Sequence, residues 1–241
     1  MKQFAYLDAQ NFDAAAKAAV AESVHVKGAG TDLVDLLKSY IVEPDAVVNL
    51  LPIREKEQEG QISALSTLED VATDEWVKLE FPALHTAAHE AATPQVRHVG
   101  TVGGNLAQNT RCWYYRTPGH ECRKKGDEGC AAESPLAQNK YHGIFASGGC
   151  AAAHTSNLAP ALIALKAQVE CVHPDGNRTM DAELLYDGEA ETNHGIIDYL
   201  VVTSVDWLDS LDAGVRDQFL TILAEVTETR NAESTKVNEE A

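Results

Sequence analysis

Four cysteines and two glycine-rich loops are the residues of this chain whose types and spacing allow chemistry. The cysteines are separated by nine, seven and nineteen residues, which matches neither a short zinc knuckle nor the compact ferredoxin pattern. They are Cys112, Cys122, Cys130 and Cys150. From spacing alone, a metal site and incidental buried thiols stay equally open. A soft-metal site beside an anion-binding loop predicts an electron-transfer protein with an iron–sulfur cluster and a phosphate-bearing cofactor.

The first glycine loop, residues 28–32, stands between a predicted strand and a predicted helix. Gly28 and Gly30 allow close backbone approach and positive φ. Thr31 and Asp32 are predicted to cap the helix, whose N–H groups would then face an anion. The second glycine loop, residues 101–105, is predicted to offer another run of free backbone donors, and two facing loops would cradle a pyrophosphate. For each loop the alternative is an ordinary strand–helix turn.

Basic residues surround the cysteines and are predicted to offset the charge of a four-thiolate cluster and to lower the thiol pKa values. The alternative is a solvated surface loop. These residues are Arg111, Arg116, Arg123, Lys124 and Lys125. Cys171 is predicted to be a core thiol. Other side chains are predicted to pack or to face solvent rather than to bind metal, although the aromatic ones could also line a path between cofactors: His98, His120, His142, His154, Trp113, Tyr114 and Tyr115.

Short helices and strands must position these groups. Hydrophobic periodicity, caps and turn residues predict a small βαβ unit around the first glycine loop, with a polar linker at 54–61. The predicted strands are 24–26, 46–51, 62–67, 169–172 and 196–204. The predicted helices are 11–22, 32–40, 68–72, 83–92, 158–168 and 208–229.

Composition narrows the function classes. The net charge of −18 argues against nucleic-acid binding, since phosphate contacts need clustered Lys and Arg. No apolar run is long enough for a bilayer, and the first residues lack the pattern of a secretory signal. These features predict a cytoplasmic chain without membrane contact, or a periplasmic one if an exported partner carries it. Five cysteines in such a chain disfavour a disulfide framework.

The two loops together resemble the flavin-binding subunit of the molybdopterin hydroxylase family, which includes xanthine dehydrogenases, aldehyde oxidoreductases and hydroxybenzoyl-CoA reductases. Residues 26–33 are similar to the family's first loop, and residues 96–106 to its second. The resemblance implies an α+β, two-subdomain FAD-binding fold with subdomains 1–53 and 54–178. The cofactor-binding residues it implies are Lys27, Gly28, Ala29, Gly30, Thr31, Asp32, Leu33, Thr101, Gly103, Gly104, Asn105, Ser156 and Asn157.

The cysteine segment, residues 109–150, is similar to a branch of this family that carries an extra [4Fe-4S] cluster. The resemblance implies that Cys112, Cys122, Cys130 and Cys150 are its ligands. It implies no catalytic side chain. The chain would be the FAD and [4Fe-4S] electron-transfer subunit of a molybdenum-containing oxidoreductase. Its partners would be a molybdopterin-binding large subunit, a [2Fe-2S] small subunit and an external electron acceptor.

The C-terminal segment, residues 179–241, does not resemble the family's usual third domain of roughly a hundred residues. Residues 190–241 instead resemble the C-terminal part of TRAP-type periplasmic solute receptors, which predicts an atypical, short helical tail. Ala29 and Asn157 also stand where the family usually has glycine and aspartate. The alternative function is therefore a truncated or fused non-catalytic remnant, or a zinc-stabilised interaction module without flavin.

Overall fold

The computed structural model describes residues 1–21, 23–54, 61–143 and 150–186. Short helices and two small sheets make up these ranges, so the predicted α+β class is confirmed. The strand predicted at 196–204, the helix at 208–229 and nearly all of the predicted linker and tail lie outside the described residues. No helix in the described ranges is long and apolar enough to cross a bilayer.

The first sheet has three parallel strands with the third strand in the middle. The predicted βαβ unit is confirmed, and the structure adds a first strand that the sequence pattern did not predict. In chain order the elements are β1 (Ala5–Asp8), α1 (Phe12–Ala18), β2 (Val24–Lys27), α2 (Leu33–Lys38) and β3 (Ala46–Asn49). Asn11 caps α1, since the Ala14 N–H donates to its Oδ1 at 2.7 Å.

Helices dominate the rest of the described chain. They are α3 (Leu68–Thr73), α4 (Glu75–Glu80), α5 (Pro82–His89), α6 (Pro94–Arg97), α7 (Val102–Leu106), α8 (Trp113–Arg116) and α9 (Leu158–Ala164). An antiparallel pair follows, β4 (Gln168–Cys171) and β5 (Arg178–Asp181). Thr67 and Asp70 form a capping box that begins α3.

The main apolar core lies between α3, α4, α5, α7 and α9. Leu68, Val71, Val77, Leu84 and Leu158 are buried there. Leu158 is 1% exposed, so the helix that follows Ser156 is firmly anchored beside α7. Burying one such leucine contributes roughly 2 kcal/mol. The segments that carry Thr101 and Ser156 are therefore held by a shared core.

Several predicted elements differ in the structure, and the helices predicted at 11–22 and 83–92 end early, at Ala18 and His89. The strand predicted at 62–67 is wrong: these residues form a turn with a single β-bridge from Thr67 to Thr101. Their carbonyls instead accept hydrogen bonds from α7, with the Gly103 N–H donating to the Ala64 oxygen at 2.8 Å. The helix predicted at 158–168 ends at Ala164, because the backbone turns left-handed at Lys166 (φ 53°) before β4 begins.

Candidate cofactor-binding site

The carboxyl ends of the three parallel strands meet in a row of polar side chains. Asn49 stands opposite both Asp8 and Lys27 in the sheet register. Its Nδ2 donates to Asp8 Oδ1 at 2.8 Å, and its Oδ1 accepts from Lys27 Nζ at 3.1 Å. Lys27 Nζ also donates to the Gly28 carbonyl at 2.9 Å. This row fixes the start of the first glycine loop at the sheet edge where ligands of α/β units usually bind.

The first glycine loop presents unused backbone donors. Within the described ranges, none of the backbone N–H groups of residues 28–33 donates a hydrogen bond. Gly30 has φ +84°, a conformation that suits glycine. The predicted cap is wrong in one respect: Asp32 occupies the N-cap position of α2, but its side chain makes no capping hydrogen bond. The loop therefore offers a run of free N–H groups, as predicted, without the predicted aspartate cap.

The second glycine loop differs from its prediction. Residues 102–106 form the short helix α7, whose first N–H groups are already bonded. Val102 N donates to the Ser66 oxygen, Gly103 N to Ala64 and Gly104 N to Thr101 Oγ1. The predicted run of free backbone donors at 101–105 is therefore wrong. The physical reason is that a threonine cap and the 64–66 turn hold two glycines in a helix that their low propensity disfavours.

The two glycine loops nevertheless lie against each other. A Cβ atom added at Gly28 would stand 2.7 Å from Thr101 Oγ1 and 3.1 Å from its Cγ2. Thr101 itself is 3% exposed. Contact this close requires a glycine at position 28. The predicted facing arrangement of the loops is thus present in the structure.

This contact predicts the outcome of a double-mutant cycle. We expect Gly28→Ala to destabilise the fold by about 1–3 kcal/mol, because the added methyl overlaps Thr101. Thr101→Ala alone should cost about 1 kcal/mol through loss of the α7 cap. Combined, the two substitutions should cost less than their sum, because the methyl then has room. Urea unfolding of the four proteins measures this coupling.

Thr101→Ser provides the matched control for that cycle. It keeps Oγ1, which is the closer of the two contacts, and removes only Cγ2. It should therefore relieve Gly28→Ala much less than Thr101→Ala does. Strictly additive effects for Gly28→Ala and Thr101→Ala would show that the loops do not touch.

Ser156 joins the second glycine loop to the start of α9. Its hydroxyl donates to Asn105 Oδ1 at 2.6 Å and accepts from the Ala159 N–H at 3.0 Å. Ser156 is buried, whereas the neighbouring Asn157 is exposed and makes no cap hydrogen bond. The structure thus brings Ser156 and Asn105 together.

Asp32 bonds to the cysteine segment and is mostly buried. Its Oδ2 accepts from the Asn109 backbone N–H at 2.9 Å, and its Oδ1 accepts from Arg116 Nη2 at 2.6 Å. Burial raises the pKa of Asp32, but the hydrogen bonds from Asn109 and Arg116 outweigh it, so that the net pKa is lowered. The sequence did not predict the pairing of Asp32 with Arg116, because the two residues are 84 positions apart.

Arg116 uses its whole guanidinium in this contact. Nη1 donates to Asp35 Oδ2 at 2.6 Å, and Nε donates to the Thr110 carbonyl at 2.7 Å. Only 12% of its side chain is exposed. Arg116 therefore clamps the beginning of the cysteine segment, which contains Cys112, onto α2 and the first glycine loop.

The four predicted ligand cysteines are free thiols that lie in one region. Cys122 is buried, and the other three are half-buried. Cys122 packs with Leu36 and Tyr115, and Cys112 lies against this cluster. The four thiols lie near one another, because Cys122 and Cys150 act on the pKa of Cys112, and Cys130 and Cys150 act on the pKa of Cys122. Cys171 is half-buried in β4 and not in the buried core, so its predicted core position is wrong.

The prediction of lowered thiol pKa values is wrong for two of the cysteines. Burial raises the pKa of the Cys112 thiol, against nearby backbone N–H groups of Tyr115 and Tyr114. Burial likewise raises the pKa of Cys122, although the Lys124 N–H acts against it. The surrounding cations are bound by other groups: Arg116 by two aspartates, Arg123 by Glu133, and Lys125 by two carbonyls. Lys125 still acts to lower the pKa of Cys122, but burial outweighs it.

His142 contacts a predicted ligand. Its Nε2 lies 3.1 Å from Cys112 Sγ, and its Nδ1 lies 2.6 Å from Asn139 Oδ1. Because Asn139 Nδ2 donates to the Ala132 carbonyl, its Oδ1 accepts from the imidazole. Burial lowers the pKa of His142. The sequence analysis predicted only that His142 packs or faces solvent, and it did not predict this contact with Cys112, which lies 30 residues away in the chain.

The donor set of the cysteine segment consists of four free thiols. Among the described residues, no three His, Cys, Asp or Glu side chains converge closely enough to hold one metal ion. A four-iron cluster takes one thiolate at each iron, and these thiolates stand farther apart than ligands that share one ion. Four free thiols in one region, with backbone N–H groups beside two sulfurs, fit such a cluster in donor type.

Comparison with known proteins defines the class. The family model described as the FAD binding domain in molybdopterin dehydrogenase matches residues 2–206. The aldehyde oxidoreductase FAD-binding subunit PaoB of Escherichia coli is 33% identical over 174 residues, which cover 68% of this chain and 54% of PaoB. The chain therefore belongs to the molybdopterin dehydrogenase FAD-binding domain family. It spans about half the length of PaoB.

A solved structure supports the same fold. Carbon monoxide dehydrogenase from Hydrogenophaga pseudoflava superposes with a TM-score of 0.54 at 21% identity, covering 79% of this chain and 54% of that chain. The predicted FAD-binding fold is thus confirmed. The subdomain boundaries at 53 and 178 stay predictions.

A different relative matches a short stretch. The C4-dicarboxylate-binding periplasmic protein DctP of Vibrio cholerae is 70% identical over 53 residues, which cover 22% of this chain and 16% of DctP. The sequence predicts a likeness of this kind for residues 190–241, which lie outside the described residues.

Proposed function

We propose that this chain binds FAD through the two glycine loops. The observation that carries this proposal is the first glycine loop, whose N–H groups are unused and which stands at the carboxyl edge of the sheet beside Lys27. Backbone donors and a lysine suit the negative charge of a pyrophosphate. The second loop would contribute contacts from Thr101 and Asn105 rather than backbone N–H groups. Ser156 and Asn157 complete the predicted set.

The cysteine segment is proposed to hold a [4Fe-4S] cluster on Cys112, Cys122, Cys130 and Cys150. The support is the proximity of four free thiols. The contacts of Arg116 support the cluster further, because they hold the cysteine segment against the first glycine loop. FAD exchanges electrons in pairs or singly, and iron–sulfur clusters transfer them singly. This chain's own residues bind and orient the two groups, and none is assigned as a general acid or base.

The function that follows is electron transfer in a molybdenum-containing oxidoreductase complex. Its substrate, an aldehyde or an aromatic or heterocyclic compound, would be oxidised on a molybdopterin-binding large subunit. Electrons would arrive through a [2Fe-2S] small subunit and leave to an external acceptor. PaoB is by its name a subunit of an aldehyde oxidoreductase, which supports this assignment. We propose that the complex is cytoplasmic, or periplasmic if an exported partner carries this chain.

Anaerobic purification with cofactor assays tests this proposal. About four irons, four sulfides and one FAD per chain are expected, with a flavin and iron–sulfur absorption spectrum. Iron without flavin would refute the FAD assignment. Zinc in place of iron, or neither metal nor flavin, would refute the redox function and favour the non-catalytic alternative.

A further inference from the structure

His154 and Thr155 have buried polar atoms that nothing in the described structure satisfies. His154 Nε2 and Thr155 Oγ1 are shielded from solvent and make no hydrogen bond. Native proteins rarely leave such groups unpaired, and each one calls for an explanation. Neither residue belongs to the predicted cofactor-binding set, although both directly precede Ser156.

The position of His154 relates it to both proposed cofactor sites. Its ring packs edge-on against Tyr186 at 4.6 Å between centroids. The Tyr186 hydroxyl donates to the Leu106 carbonyl at the end of α7, at 3.0 Å. On the other side, Lys124 of the cysteine segment is near enough to affect the imidazole. His154 therefore lies between the second glycine loop and the cysteine segment.

The hydrogen bonds of His154 define which nitrogen is the donor. The Ser156 backbone N–H donates to Nδ1 at 3.2 Å, so the neutral ring carries its proton on Nε2. Burial lowers the pKa of His154 to about 4, and Lys124 acts in the same direction. The ring is thus neutral at physiological pH. The Leu106 carbonyl lies near enough to act in the opposite direction on the pKa, but it falls outside hydrogen-bond geometry with Nε2.

We propose that His154 Nε2–H and Thr155 Oγ1 are positioning contacts for bound FAD and donate hydrogen bonds to its acceptor oxygens. This inference rests on the proposed FAD function. Acceptor oxygens from the cofactor would satisfy both orphaned groups. The acceptor is either a ring carbonyl or a phosphate oxygen of FAD.

Titration of the purified chain with FAD tests the proposal. His154→Leu should raise the FAD dissociation constant about tenfold, the size of one lost hydrogen bond, and Thr155→Val should raise it about fivefold. His154→Gln, which keeps a donor and an acceptor, should restore part of the affinity. His89→Leu is the control, because His89 is an exposed histidine on α5.

Two further readouts separate a cofactor contact from a structural role. Without FAD, His154→Leu should unfold at the same or a higher urea concentration than wild type, because it removes an unsatisfied donor. The flavin midpoint potential should also shift in His154→Leu and not in His89→Leu if a ring carbonyl is the acceptor. Weakened FAD binding at an unchanged potential would assign a phosphate oxygen.

The outcomes distinguish this inference from the function on which it rests. Wild-type FAD affinity in both His154→Leu and Thr155→Val would overturn the inference alone. Loss of stability without FAD in His154→Leu and His154→Gln, at unchanged FAD affinity, would assign a structural role instead. A wild-type chain that binds no FAD would overturn the proposed function and this inference together.

Discussion

Replacing Arg116 with methionine lowers the free energy of unfolding by about 3 kcal/mol or more, the cost of leaving a buried carboxylate without its partner. Asp32 is 15% exposed and depends on Arg116 and Asn109 for its hydrogen bonds. The substitution also removes the donors that hold the Thr110 carbonyl and Asp35. Urea unfolding of the variant and the wild-type protein measures the loss.

Two controls show that the effect belongs to the clamp. Arg111→Met removes a cation that is 51% exposed and lies 3.5 Å from the same carboxylate, so its cost should stay below about 1 kcal/mol. Arg116→Lys keeps the charge and loses the planar fork, and it should be intermediate. Equal stability for Arg116→Met and Arg111→Met would contradict the clamp.

The pH dependence of the Arg116 effect follows from the lowered pKa of Asp32. A carboxylate with a folded-state pKa below its unfolded value stabilises the protein above the unfolded pKa. That stabilisation is lost as the pH falls from about 3.8 through the folded-state value. The stability difference between wild type and Arg116→Met should therefore be full at neutral pH and shrink in strong acid.

Arg116 has a further consequence for cofactor content, because it ties the first glycine loop to the cysteine segment. A loosened clamp should lower FAD and iron content together, whereas Arg111→Met should leave both near wild type. Selective loss of iron at full FAD occupancy would show that the two sites are held independently.

The sequence correctly predicted those elements whose conformation is set by residues close to them in the chain. The strand, glycine turn and helix around Gly28 follow from hydrophobic periodicity and glycine, and the structure has them. The first strand, Ala5–Asp8, was not predicted because all four of its side chains are exposed and no buried face marks it. What defines these residues as a strand is their pairing with β3, which is a long-range contact.

The predictions that proved wrong concern residues whose conformation or partner is set by tertiary contacts. Gly103 and Gly104 read as a loop, yet the Thr101 cap and the 64–66 carbonyls hold them in α7. Arg116 was assigned to a cation cluster near the thiols, but two aspartates of the first loop and α2 bind it. Charge counting along the chain identifies a basic segment, and only the fold reveals which carboxylates it meets.

Cys122→Ser should remove the proposed cluster altogether. Cys122 is the most buried of the four cysteines, at 6% exposure, and is influenced electrostatically by both Cys130 and Cys150. Serine is nearly isosteric with cysteine but is a poor ligand for iron, so the chain should fold and lose its iron. We expect iron and sulfide to fall from about four per chain to background, with loss of the cluster's electron paramagnetic resonance signal after reduction.

Cys171→Ser is the matched control for this loss, because Cys171 is also a free thiol, half-buried, but belongs to β4 and not to the cysteine segment. It should keep full iron and FAD content. Circular dichroism checks that Cys122→Ser is folded, and the less buried Cys150→Ser replaces it if it is not. Retention of full iron and an unchanged cluster spectrum in both Cys122→Ser and Cys150→Ser would refute the ligand assignment.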